Sequence, residues 1–108
     1  MGILGKLFNN KEDNNPVQNP SGGTYIVEDT FKLNDPNDLV VVGQIKGTVR
    51  DTDKVYIEGA NENSLISIIE LDIFRTKVES ATDTTVALVL ENGNQYGITK
   101  GTVLHVKA

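Results

Sequence analysis

From Thr24 onward apolar and polar residues alternate in short runs separated by turn residues, the period of strands rather than helices. In Thr24–Leu33 (TYIVEDTFKL) Tyr25 and Val27 share a face and Phe31 and Leu33 share a face, with polar Glu28–Thr30 between the pairs. Asn34-Asp-Pro-Asn-Asp38 is turn chemistry. Leu39–Val49 (LVVVGQIKGTV) follows as a strand with Leu39, Val41 and Ile45 in one row. Gly43 falls in that row, where a second backbone passes closely or a barrel strand bends. After a turn at Asp51-Thr52-Asp53, Lys54–Glu58 returns with Val55 and Ile57 on one side, and Gly59–Asn63 is a loop.

The richest β-branched stretch is Ser64–Phe74 (SLISIIELDIF), read as a strand with a bulge near Ile68-Ile69. Arg75–Thr85 is polar and without period, hence a connection. Thr85–Leu90 is the most apolar strand, and Asn92-Gly93 is a tight-turn dipeptide. Ile98–Gly101 predicts a short helical turn before the last strand, Thr102–Val106. There Leu104 and Val106 take one face, and Val103, His105 and Lys107 the other. Six short strands and no long helix predict an all-β domain, a six-stranded antiparallel closed Greek-key β-barrel, since closure removes exposed sheet edges.

The first 23 residues differ in kind. Asn9–Gly23 is dominated by Asn, Pro, Ser and Gly and cannot recover its ordering entropy, so residues 1–23 are expected to form a disordered, flexible tail and 24–108 the barrel. Within the tail, Ile3, Leu4, Leu7 and Phe8 fall on one helical face. That spacing suits weak peripheral contact with a membrane surface or docking in a partner groove, and a mobile start is the competing reading.

Composition narrows the chemistry. The 108 residues contain no cysteine, which removes disulfides, thiolate ligands and Cys nucleophiles. No apolar run approaches the roughly 20 residues of a membrane helix, and the first residues lack a secretory pattern, so the expectation is a cytoplasmic protein without an integral membrane segment. The net charge is −5, and the excess lies wholly after Thr24, where eight basic side chains face thirteen acidic ones. Such a domain repels phosphate backbones on average, which argues against DNA and against generic nucleic-acid binding.

Three blocks carry a resemblance. They are Val42-Gly-Gln-Ile-Lys-Gly-Thr-Val-Arg50 leading into Asp53–Ile57; then Phe74-Arg75, Lys77, Ala81 and Val86–Leu90; and last Ile98-Thr-Lys-Gly-Thr-Val-Leu104. In this order and spacing the chain from about Phe31 to Lys107 resembles the second domain of translational GTPases, the elongation-factor-Tu-like β-barrel. The resemblance implies a translation-protein type of barrel, here as a stand-alone domain. Thr52 stands where the family usually has Gly before the acidic residue opening the third strand, so this turn either avoids positive φ or is strained. No GxxxxGK[ST] loop is present to cradle phosphates, and no GTPase activity is expected.

Candidate chemistry is sparse. Phe74, Arg75 and Lys77 place an aromatic beside two cations, able to stack on a base or hold an acidic partner. The competing reading has Phe74 plugging the barrel end with both cations solvated. Lys46, Arg50 and Lys54 form a basic strip only if their strands are adjacent. His105 is the only histidine, so neither a zinc site nor a nucleophilic triad assembles. Glu70 and Asp72 share a strand side without a marked cleft, and the Arg-x-Tyr-Ser/Thr signature of flavin-binding barrels is missing, so no cofactor is expected. The resulting expectation is a non-catalytic binding module, not an enzyme, with a protein partner. The alternative is an RNA- or ribosome-associated accessory using the Phe74–Lys77 edge, and the lesser alternative a small-ligand-binding or enzymatic barrel.

Overall fold

The computed structural model describes residues 21–33 and 37–107. The expectations for the tail before Ser21, including Ile3, Leu4, Leu7 and Phe8, and for the turn centre at 34–36 lie outside the described residues.

Eight strands form: β1 (Gly22–Lys32), β2 (Leu39–Arg50), β3 (Lys54–Ile57), β4 (Ile66–Ile73), β5 (Thr76–Val78), β6 (Ser80–Thr82), β7 (Thr85–Leu90) and β8 (Val103–Lys107). Six of them close a ring, β1-β8-β3-β4-β7-β2 and back to β1, every pairing antiparallel. This is the six-stranded closed barrel that the alternation predicts. The two further strands lie in the supposed polar connection. There β5 pairs with β4 and β6 with the far end of β2, so Thr76–Thr82 crosses from one strand of the ring to another. Their sequence hides them because only Val78 and Ala81 turn toward the core.

Inward rows fill the barrel. Tyr25, Val41, Val55, Leu71, Leu88, Leu90 and Leu104 are wholly buried, and burying side chains of this size stabilises by about 1.5–3 kcal/mol each. Leu104 faces the core with Val106 packed against it, as the parity of β8 requires. Two bulges set which residues face out. In β4 the register slips between Ile68 and Glu70, leaving Ile69 exposed. In β1 it slips between Val27 and Asp29, so Phe31 pairs with outward Val40 and is itself exposed.

Gly43 is required by a close approach. A Cβ there would lie 2.0 Å from the Ile26 carbonyl oxygen and 3.1 Å from the Tyr25 ring. The space it leaves admits the Tyr25 ring, whose hydroxyl donates to the Val86 carbonyl at 2.6 Å. Burial, with the nearby Glu28 charge second, pushes the Tyr25 phenol well above its ordinary range.

Three local expectations are corrected or resolved. The helical turn is a 3-10 turn at Gly93–Tyr96, earlier than Ile98–Gly101, and Asn92 enters it with φ 55 instead of forming a two-residue hairpin. Strand β1 begins at Gly22, inside the stretch expected to be tail, because Gly22 and Gly23 pair with Thr48 and Gly47. Thr52 avoids positive φ. The turn closes instead through the Arg50 amide donating to the Asp53 carboxylate at 2.8 Å.

Candidate partner-binding surface

Strand β4 pairs with β7 only as far as Asp72↔Ala87, whereas β7 continues on β2 to Thr85↔Gln44. Beyond Asp72 the β4–β5 hairpin therefore leaves β7. Ile73 pairs with Thr76, so Phe74 and Arg75 are the whole loop. Both have positive φ, 50 and 65, as a type I′ turn demands. Such turns favour Asn-Gly, and neither Phe nor Arg relieves the left-handed strain.

The hairpin's departure opens a groove of about 370 Å³, lined by Val42, Thr85, Val86 and Ala87 on one side and by Asp72, Phe74 and Arg75 on the other. The lining is mainly apolar. Phe74 stands 94% exposed at its edge, so the reading in which it plugs the barrel end is overturned. Lys77 pairs directly with Asp72, and paired residues share a face, so it joins the same outward row as Val42, Ala87 and Asp72. The structure thus brings Phe74, Arg75 and Lys77 together on one hairpin. Among the described residues neither cation makes an ion pair.

Sequence reasoning missed the rest of this surface. Val40, Val42, Ala87 and Val89 are half-buried on the outside of β2 and β7, and exposed Phe31 extends their row through its pairing with Val40. The available signal was the apolar residues on the outward parity of Leu39–Val49. A sheet face in contact with water does not need them.

Other candidates stay apart. Lys54 lies on β3, which is not a neighbour of β2, so no strip joins it to Lys46 and Arg50. Its ammonium donates to Ser67 Oγ at 2.9 Å, and the Arg50 guanidinium donates to Ser21 Oγ. Outward-facing His105 lies with Nε2 3.1 Å from Glu58 Oε1 and stacks on Tyr56 with centroids 5.3 Å apart. Among the described residues no three His, Asp or Glu side chains gather to hold a metal. None of their helices is long and apolar enough to cross a membrane.

No family model matches this sequence, and no curated protein matches it. Among solved structures, the chain is similar to translation elongation factor SelB from Methanococcus maripaludis in its apo form, at 21% identity and a TM-score of 0.68. The match covers 87% of this chain and 20% of that one, so this chain corresponds to about one-fifth of the factor's length. The likeness establishes the fold: this is a translation-factor type of β-barrel.

Proposed function

We propose that the chain is a non-catalytic binding module that holds a protein partner at the β4–β5 hairpin and the groove beside it. The observation that carries this reading is Phe74, almost fully exposed on a backbone with φ 50, next to a mainly apolar groove. A bulky side chain held in sparsely populated backbone space is costly, and such costs gather at functional sites. An exposed aromatic over an apolar recess, with an arginine beside it, has the composition of a binding hot spot. The acidic setting supports protein over nucleic acid. Arg75 and Lys77 share their surface with Asp72 and Glu70, and the domain as a whole repels phosphate.

The test is affinity capture from lysate with the full chain as bait, with and without nuclease, beside a Phe74→Ser bait. A protein retained after nuclease and lost with Phe74→Ser supports the reading. Equal retention by both baits refutes it, and capture that vanishes with nuclease assigns the hairpin to RNA.

A further inference from the structure

The groove has a candidate occupant within its own chain. Ile3, Leu4, Leu7 and Phe8 place four large apolar side chains within six residues, accompanied by one charge, Lys6. The groove offers the complement: Val42, Ala87 and the Phe74 ring, with the Asp72 carboxylate at its margin and core-facing Val86 at its floor. Its 370 Å³ lies within the range of about 300–1,000 Å³ typical of recesses that take ligands.

Connectivity favours this occupant over a free peptide of the same composition. Gly22, at the start of β1, pairs with Thr48, and Val42 lies six residues further back along β2. At about 3.3 Å per residue the span from Gly22 to the groove is roughly 20 Å. Between Phe8 and Ser21 stand twelve residues, Asn9–Pro20, rich in Asn and Pro. Fully extended, twelve residues reach at most about 40 Å, so the tether is long enough for the span. A short tether able to cover the span gives an effective concentration on the order of 1 mM.

We propose that Ile3–Phe8 docks in cis in the groove beside Phe74 and competes there with the partner. This inference rests on reading the groove as a docking site and adds its regulation. An intrinsic Kd of about 1 mM, modest for four apolar side chains, already fills roughly half of the molecules at this effective concentration. A partner must then compete with the segment, which without a partner occupies the groove in about half of the molecules.

Because the chain has no cysteine, Gly2→Cys gives a single attachment point for a nitroxide. In the ¹⁵N-labelled full chain, the amide signals of Val42, Arg75, Thr85 and Ala87 are expected to lose most of their intensity, recovered when the nitroxide is reduced. The same tag in Leu7→Ser/Phe8→Ser should spare them, because each lost apolar side chain weakens docking about tenfold or more. The proposal is overturned by three results: no selective loss at these amides, the same loss in the double variant, or loss arising only between tagged unlabelled and untagged labelled chains. The last would assign the groove to a second copy. No partner enters this measurement, so its failure leaves the protein-partner reading standing. Selective loss without any Phe74-dependent capture would instead make the chain's own segment the groove's occupant and remove the partner.

Discussion

Replacing the hairpin tip with Phe74→Asn/Arg75→Gly should make the protein more stable and less able to bind. A left-handed backbone costs an ordinary L-residue roughly 1–2 kcal/mol, and Phe74 and Arg75 both adopt it, at φ 50 and 65. Asn tolerates that region, and Gly adopts it freely but returns about 0.5–1 kcal/mol through its greater unfolded-state entropy. Little opposes the gain, because the Phe74 ring is 94% exposed and its removal sacrifices almost no burial. The net expectation is a stabilisation of about 1–2 kcal/mol, which for a domain of this size raises Tm by roughly 5–10 °C. Thermal melts by circular dichroism read the shift, and urea titration should show a higher midpoint at unchanged slope. The same variant should fail in partner capture. An unchanged or lower Tm would refute the reasoning, because it would mean that Phe74 and Arg75 stabilise the turn they occupy.

Four further variants test the barrel. Leu88→Ala, at a wholly buried site between Val41 and Leu71, should cost about 2–5 kcal/mol in urea titration. In the same assay His105→Ala, which loses one exposed pairing with Glu58 and a stack on Tyr56, should cost no more than about 1 kcal/mol. Gly43→Ala should destabilise by about 1–3 kcal/mol or more, because its methyl group meets backbone at Ile26; a native-like melting temperature would refute this. Tyr25→Phe leaves the Val86 carbonyl without its hydroxyl donor and should cost about 1–2 kcal/mol at neutral pH. Burial raises the folded-state phenol above its unfolded value near 10. The unfolded wild-type chain therefore releases that proton first, and wild-type stability should fall by up to about 1.4 kcal/mol per pH unit above pH 10. The gap between wild type and Tyr25→Phe should accordingly narrow from pH 9 to pH 11.

The ring of six strands was legible because a strand with one wet face records its parity in every second residue. Tyr25 and Val27, Leu39 to Ile45, and Leu104 with Val106 all follow this rule. Legibility failed where the rule lapses. Thr76–Val78 and Ser80–Thr82 are strands too short to show a period, held in place by the long strands they pair with. The bulge at Glu28 reverses the parity of the rest of β1, so Phe31 points outward although nothing in its neighbours announces the slip. The three candidate residues Phe74, Arg75 and Lys77 were visible as an aromatic among cations. The groove beside them was not, because it depends on where β4 parts from β7, a property of register rather than composition.

That parting separates the site from the parts of the barrel that cannot change. The ring strands are constrained twice, by ladder pairing and by inward rows that interlock across the core. The crossing segment is constrained by its short ladders on β4 and β2, by Val78 and Ala81, which pack toward the core, and by the Glu79 carbonyl, which accepts the Asp51 amide at 3.0 Å. The two residues of the hairpin tip carry neither constraint. Their identity can follow a partner without disturbing closure, and the strain they carry, of the order of 1–2 kcal/mol each, is within what a domain stable by 5–15 kcal/mol can absorb. A two-residue turn also fixes the backbone that carries the ring more tightly than a longer loop would, so contact there would cost little backbone ordering entropy. A position that is costly to the fold, free of the core and preorganised for contact is where a closed barrel can acquire specificity without reopening its edges.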